Sequence, residues 1–344
     1  MPSSREPEPK VTVVIPNCNG MKWLDGCLKA LDRQDTSAFV TLVVDNGSTD
    51  GSVAFIKKNY PHIEVVSLRN NTGFANAANV GIEKAATPYV ALLNTDTQVY
   101  PNWLSGLLEK IEKSPPDVGA INPQMLRMDD RERLDDAGDE LSWYGAATKR
   151  GHNQPARRYD KEEEVFSPCA GASLYRQEFL LKSGGFDKAF FAYLEDVDLG
   201  LRGRLLGYRY LYLPAAKVLH KGQGSGIQHG RLVELTTRNR LLLFTKNVPA
   251  SLLLRHAAKL FYGQVYFLVA YARPVSSLKG FFSFIAWLPV AMKERKRILK
   301  DTIIDPAELD ALLGGDPPNP TLSTIVKGRL SRLMGKRKSA PSSR

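Results

Sequence analysis

The densest group of reactive side chains lies between Gly184 and Leu199, in GGFDKAFFAYLEDVDL. There Glu195, Asp196 and Asp198 crowd three carboxylates behind an aromatic-rich loop. Mutual repulsion and partial burial raise the pKa of at least one toward that of a useful general base. An acidic helix start, stabilised by the helix dipole, is the plainer account of the same residues. It does not require the preceding Gly-Gly-Phe-Asp turn and its aromatics.

Three further segments carry polar groups at the ends of apolar runs. In VVDNGSTDG, Val43 to Gly51, a carboxylate at Asp45 can accept a hydrogen bond from a pyrimidine N3–H. Turn and cap chemistry explains Ser48 and Asp50, and Asp45 less well. In NNTGFAN, Asn70 to Asn76, backbone N–H groups at a strand-to-helix junction can face an anion, with Gly73 permitting close approach. A simple glycine turn is the alternative. In LLNTDT, Leu92 to Thr97, Asp96 can give a carboxylate to a divalent cation such as Mg²⁺, and Asn94 an amide oxygen or a ribose contact. An aspartate capping the next helix accounts for it about as well. His220 follows an apolar run and precedes the glycine-rich KGQGSG, Lys221 to Gly226, which suits a metal or phosphate ligand. A lone histidine is more often structural, and His62, His152, His229 and His256 have no such setting.

The elements that must position these groups follow a strand–helix alternation. Strands are predicted at Val11–Ile15, Val40–Val44, Ile63–Val66 and Tyr89–Leu93. Helices are predicted at Met21–Leu31, Val53–Lys58, Ala75–Lys84 and Trp103–Ile111. This pattern means βαβ units and a doubly wound, mainly parallel α/β sheet flanked by helices. Ligands of such sheets gather at the carboxyl ends of the strands. Asn17, Asp45, Asn46, Asn94 and Asp96 all stand immediately after predicted strands. From about 129 to 164 the pattern weakens and reads as a variable insertion over the site. Helix Leu199–Leu206 and two strands, Tyr208–Leu213 and Lys217–Leu219, come later.

The final third is a separate apolar and basic helical region, 249–314. Leu252–Ala272 and Leu278–Met292 are interrupted by Arg255, Lys259, Arg273, Pro274 and Pro289. Neither offers the clean run of about 18 apolar residues that a spanning helix requires, so interfacial or re-entrant helices are expected. Residues 1–10 read as a disordered leader and 315–344 as a disordered basic tail.

With 344 residues and 43% hydrophobic content, the chain can bury one large core and carry an appendage. Three cysteines without zinc-type spacing suit a reducing compartment. The net charge is +11, with a late basic block, KERKR from Lys293 to Arg297, and Lys336, Arg337 and Lys338 in the tail. Basic residues beside apolar helices suit the anionic cytoplasmic face of a membrane. No nucleic-acid reading motif accompanies them, so nucleic acid is not an expected partner.

Taken in order, VVIPNCNG (Val13–Gly20), VDNGSTD (Val44–Asp50), NTGF (Asn71–Phe74), LNTD (Leu93–Asp96), GGFD (Gly184–Asp187), EDVD (Glu195–Asp198) and His220 resemble the family 2 glycosyltransferases of the GT-A fold, particularly the rhamnosyltransferase-like branch. The resemblance covers roughly residues 10 to 245, with the catalytic domain spanning 11–248. It implies a catalytic Glu195-Asp196 motif with Asp196 as base, and a base contact at Asp45. It implies a donor site drawn from Pro16, Asn17, Asn19, Asp45, Asn71, Gly73, Phe74, Asn94 and Thr95. It also implies a Mg²⁺ or Mn²⁺ cofactor at Asp96 and His220. Asn94 departs from the acidic residue of the broad GT-A pattern, leaving one charge fewer.

The expected activity is inverting transfer of a sugar from a nucleotide-sugar donor to a saccharide or lipid-linked acceptor in cell-surface glycan synthesis. A rhamnose-like donor on dTDP, or another sugar on UDP, rests on analogy alone. The expected location is cytoplasmic, peripheral to the inner face of the cell membrane. A nucleotidyltransferase would want a glycine-rich basic loop after the first strand, and a dehydrogenase Gly-x-Gly-x-x-Gly; Pro16 to Gly20 supplies neither. A catalytically weak nucleotide-sugar-binding or scaffold protein at the membrane is the non-enzymatic alternative.

Overall fold

The computed structural model describes residues 8–222, 226–316 and 320–337. The first half of the sheet follows the expected alternation. The β-branched run VTVVIPN makes β1 (Val11–Asn17), which lies between and parallel to β2 (Phe39–Asn46) and β4 (Tyr89–Leu92). Its alternate side chains serve two layers. Val11, Val13 and Ile15 join the core with Leu24, Cys27 and Leu28 of α1 (Met21–Leu31) and Trp103 and Leu107 of α4 (Trp103–Lys113). Val14 packs with Ala75, Ala78 and Ile82 of α3 (Phe74–Lys84) on the other face. A strand covered on both faces needs apolar residues at every position, which is why β1 reads as a continuous run. The outer strand β3 (Glu64–Leu68) pairs parallel with β2, connected through α2 (Ser52–Asn59).

The second half was less visible. Strand β6 (Val118–Arg127) is buried over nearly its whole length. Its centre, Asn122-Pro123-Gln124, interrupts the apolar pattern, so no strand was predicted there. Asn122 compensates by accepting hydrogen bonds from the Cys169 N–H (2.8 Å) and the Ser173 hydroxyl (3.2 Å). The two strands expected at 208–219 are one, β12 (Arg209–His220), with a register shift between Leu213 and Lys217. Strand β11 (Leu174–Arg176) runs antiparallel between β4 and β6 and completes the order β10-β12-β6-β11-β4-β1-β2-β3. The short β5 (Thr97–Val99) pairs antiparallel with the end of β12.

Residues 129–164 are built into this sheet. β7 (Leu134–Asp136) pairs with β6, and β10 (Glu163–Val165) pairs with β12. Between them β8 (Asp139–Leu141) and β9 (Ala147–Lys149) form a two-stranded ribbon. Each has three residues, too short to impose a period on the sequence. Asp135, Asp136 and Asp139 are all buried here.

After α5 (Gln177–Lys182), α6 (Glu195–Leu205) and α7 (His229–Asn247), the chain continues as α8 (Ala250–Arg255), α9 (Ala257–Tyr271), α10 (Pro274–Lys300) and α11 (Pro306–Leu312). Contrary to the expectation of interrupted apolar segments, α10 runs unbroken for 27 residues through Pro289 and is long and apolar enough to cross a membrane by length and composition. Pro274 sits in its first turn, where no intrahelical N–H bond is lost. Gly280 allows α10 to lie directly on α7, since a Cβ there would come within 2.4 Å of the Glu234 carbonyl oxygen. The expected disordered tail contains α12 (Leu322–Arg337). Residues 317–319 and 338–344 of that tail, residues 1–7 of the leader and residues 223–225 of the glycine-rich loop lie outside the described residues.

Candidate active site

The carboxyl ends of β1, β2 and β4 open onto a cavity of about 140 Å³. Eight of the residues singled out in the sequence line it: Pro16, Asn17, Asn71, Gly73, Phe74, Asn94, Thr95 and Asp96. Cys18, Asn46, Phe191, Ala192 and Ile227 complete the wall and were not among the expected donor contacts. Gly73 is required where it stands. Its φ is +88°, and a Cβ would meet the Phe191 carbonyl oxygen at 2.4 Å.

Asp45 and Asn19 stand outside this lining. Asp45 is buried behind Asn17, accepting from the Asn17 amide at 3.0 Å and from the Ser48 N–H at 3.2 Å. Asn17 Oδ1 is buried without a hydrogen-bond partner, at the cavity wall. Asn19, at φ 53°, accepts from the Thr49 N–H at 2.8 Å and closes the adjoining loop. Asn46, one residue beyond Asp45, fixes the opposite wall. Its Oδ1 accepts from the Thr72 N–H (2.8 Å), and its amide donates to the Gly73 carbonyl (3.1 Å).

Asp96 and His220 meet because β5 pairs with β12, setting Thr97 opposite His220. The Asp96 carbonyl also accepts from the Lys221 N–H at 3.0 Å. His220 Nε2 is 3.3 Å from Asp96 Oδ1, and Nδ1 is 2.7 Å from Asp135 Oδ2. Burial pushes the imidazole pKa down, but hydrogen bonds to Asp135 and Asp96 outweigh it and carry it up to about 9. Lys149 Nζ lies 2.6 Å from the same Asp135 oxygen. Once Nε2 has given up its hydrogen, the buried Asp96 carboxylate and the buried imidazole nitrogen make a donor set suited to a divalent cation such as Mn²⁺. Asp135 and Lys149 come from the segment whose short strands hid it.

The three carboxylates at the start of α6 have divided environments. Asp198 is fully buried against Arg202 Nε (2.8 Å), Lys246 Nζ (3.1 Å) and Asn247 Nδ2 (2.8 Å). Burial opposes its charge, yet Lys246 and Arg202 hold its pKa below the usual range. It is an ion-pair anchor for α6 and α7. Asp196 is half-buried; Oδ1 accepts from the Val197 N–H at 2.9 Å, and the Ala170 N–H is 3.5 Å from Oδ2. Burial raises its pKa. Glu195 Oε2 is buried without a partner, and burial followed by the Asp196 charge raises that pKa to about 8. Ala170 is followed by Gly171, whose carbonyl accepts from the Asn94 N–H at 2.9 Å, so one short turn connects Asp196 to the cavity wall. Asp136 and Asp139 each have a buried unpartnered oxygen, and burial, with the neighbouring carboxylates, raises the pKa of both.

The loop before α6 is held from α7. Asn239 and Arg238, neither evident as site residues from sequence, bind carbonyls of residues 189–193. Among the many polar residues of α7, nothing in the sequence singles out these two.

Residues 12–184 match the family model described as glycosyl transferase family 2. The chain is 30% identical over 220 residues to N-acetylglucosaminyl-diphospho-decaprenol L-rhamnosyltransferase of Mycobacterium tuberculosis, covering 57% of this chain and 71% of that protein. It is 28% identical over 130 residues to a teichoic acid poly(glycerol phosphate) polymerase of Staphylococcus epidermidis, covering 35% of this chain and 18% of that protein. Among solved structures it is similar to GalNAc-T7 with UDP, GalNAc and Mn²⁺, at TM-score 0.59 and 16% identity. That match takes in 80% of this chain, which spans about half (52%) of the GalNAc-T7 chain. It is also similar to the mannosyltransferase PcManGT of Pyrobaculum calidifontis with GDP-Man and Mn²⁺, at TM-score 0.51 and 15% identity, over 96% of this chain and 88% of that one.

Proposed function

Since the chain belongs to glycosyl transferase family 2, we propose that it transfers a sugar, with inversion, from a nucleotide-diphosphate donor to a hydroxyl of a lipid-linked saccharide. It is a glycosyltransferase of the rhamnosyltransferase-like kind with the GT-A fold. The observation that carries the proposal is the gathering of Asn17, Asn71, Gly73, Asn94 and Asp96, from three separate motifs, around one cavity at the strand ends.

The donor's nucleoside is read at the Asn17–Asp45 pair. The unpartnered Asn17 Oδ1 is an acceptor for a base N–H, and Asp45 holds the Asn17 amide. The half-buried Asp196 takes the proton from the attacking acceptor hydroxyl, its basicity raised by burial. Asp96 and His220 would hold Mg²⁺ or Mn²⁺, which supplies positive charge to balance a departing diphosphate. A rhamnose donor is favoured by the named activity of the mycobacterial relative, and a UDP-sugar by the UDP bound in GalNAc-T7; dTDP as the carrier of rhamnose is the reading carried from the resemblance.

A lipid-linked acceptor agrees with the exposed apolar surface of α10. Val275, Leu278, Phe282 and Ile285 are exposed at helical spacing, with exposed Lys279, Lys293 and Lys296 on the same helix. Such a helix lies in an anionic interface by burying its apolar residues and leaving its lysines at headgroup level. We place the enzyme on the cytoplasmic membrane surface, acting in cell-surface polysaccharide synthesis.

The test is thermal stabilisation against a panel of nucleotide sugars with and without Mn²⁺, followed by nucleotide release with lipid-linked saccharide acceptors. One nucleotide-sugar class should stabilise the protein and turn over. The reading is lost if no nucleotide sugar binds.

A further inference from the structure

We propose that Asp135 is a positioning residue for the cation site: it orients His220 so that Nε2, and not Nδ1, is presented beside Asp96. The proposal rests on the assignment of Asp96 and His220 as cation ligands.

The β5·β12 pairing brings His220 to Asp96, but backbone pairing does not decide which ring nitrogen faces the carboxylate. That choice belongs to whatever holds the other nitrogen. Asp135 Oδ2 lies 2.7 Å from Nδ1. An ionised carboxylate only accepts hydrogen bonds, so Nδ1 must carry the hydrogen, and in the neutral ring the Nε2 lone pair is then free for a cation. A carboxylate behind a ligating histidine both fixes the ring and raises its basicity.

Asp135 is itself immobilised. Lys149 Nζ lies 2.6 Å from Oδ2. His152 Nδ1 is 2.9 Å from the Asp135 backbone carbonyl oxygen. The β6·β7 pairing sets the next residue, Asp136, opposite Met125. Asp135, His220 and Asp96 are all buried, which limits competition from water for these contacts. Lys149 also occupies the Asp135 carboxylate, which keeps it behind the histidine as a support. Asp135 thus stands outside the ligand pair, acting on the cation through His220.

Two measurements on the full chain test this. First, Mn²⁺ alone is titrated into protein and free Mn²⁺ is read by electron paramagnetic resonance. Asp96→Asn and His220→Gln should abolish the site, and Asp135→Asn should weaken it about 10- to 100-fold. Second, long-range ¹H–¹⁵N spectra of the metal-free wild type should show His220 with hydrogen on Nδ1 whenever the ring is neutral, a readout that needs no variant. Undiminished Mn²⁺ binding by Asp135→Asn, with binding lost in Asp96→Asn and His220→Gln, overturns the role of Asp135 alone. A neutral His220 with its hydrogen on Nε2 does the same. Unchanged binding in Asp96→Asn and His220→Gln instead overturns the ligand assignment, and this proposal with it.

Discussion

Asn239 Nδ2 lies 2.8 Å from the carbonyl oxygen of Tyr193, and the same amide reaches the carbonyls of Phe190 (2.9 Å) and Ala192 (3.0 Å). Between and beyond these anchors Phe191, Tyr193 and Leu194 have φ values of 63°, 70° and 69°. Non-glycine residues held in that region cost about 1–3 kcal/mol each and persist only when the surroundings enforce them. The strained stretch carries Phe191 into the cavity wall and delivers the chain to Glu195 and Asp196. Replacing Asn239 with Ala should relax the loop, lowering donor-nucleotide affinity about tenfold and stability by roughly 2–3 kcal/mol. Calorimetric nucleotide titration and thermal melting check both; unchanged affinity would show that α7 does not hold the site.

Gly73→Ala places a methyl group on the Phe191 backbone at a positive φ. We expect the wall of the cavity to shift and nucleotide binding to fall more than tenfold, with a stability loss of at least about 1 kcal/mol. Gly51→Ala, also at positive φ but with nothing within 4 Å of the added carbon, should cost stability while sparing nucleotide affinity. Equal loss of affinity in both variants would contradict the steric argument.

Asp196→Asn and Asp198→Asn should separate chemistry from architecture. The first is expected to cut turnover by orders of magnitude with donor affinity and melting temperature nearly intact. The second leaves Lys246 and Arg202 facing a neutral amide in the interior and should cost about 3–5 kcal/mol of stability. Near-normal turnover by Asp196→Asn refutes the base assignment.

Glu195 provides a pH dependence of definite sign. Its folded pKa, about 8, lies above the ordinary value of 4.5, so folding favours the protonated form. That contribution to stability is complete below pH 4.5 and is lost as pH rises through 8. Glu195→Gln is neutral at every pH, so its melting temperature should gain several degrees relative to wild type between pH 5 and pH 8.5. A constant difference across this window would show that Glu195 is ionised throughout.

Membrane attachment is tested by flotation of the protein with vesicles containing anionic lipid. Phe282→Glu with Ile285→Glu should abolish flotation without a change in melting temperature, because both side chains are exposed. Lys293→Glu with Lys296→Glu should weaken it and reduce its salt sensitivity. Flotation that survives the apolar pair would exclude α10 as the docking element.

Elements made by local periodicity were legible in advance. Helix α1 begins and ends where its apolar stripe does, and β1 and β2 match their β-branched runs to within two residues. The cavity residues after β1 and β4 were legible too, because parallel strands turn their carboxyl ends toward one rim. Strand β6 was hidden by Asn122-Pro123-Gln124, where Asn122 Oδ1 and Gln124 Nε2 find partners distant in sequence. The unbroken length of α10 was hidden by Pro289, which a helix tolerates and an apolar-run count does not.

The sequence by itself therefore determined the doubly wound half of the sheet, the family, and the residue types gathered at its rim, since all of these follow from short-range pattern and motif order. Only the tertiary structure decided how the charged groups share their work. It set Asp198 against Lys246, left Glu195 Oε2 without a partner, and placed Asp135 behind His220. Those assignments depend on desolvation and on contacts between segments many tens of residues apart, and the energy of a buried charge is set by its neighbours in space.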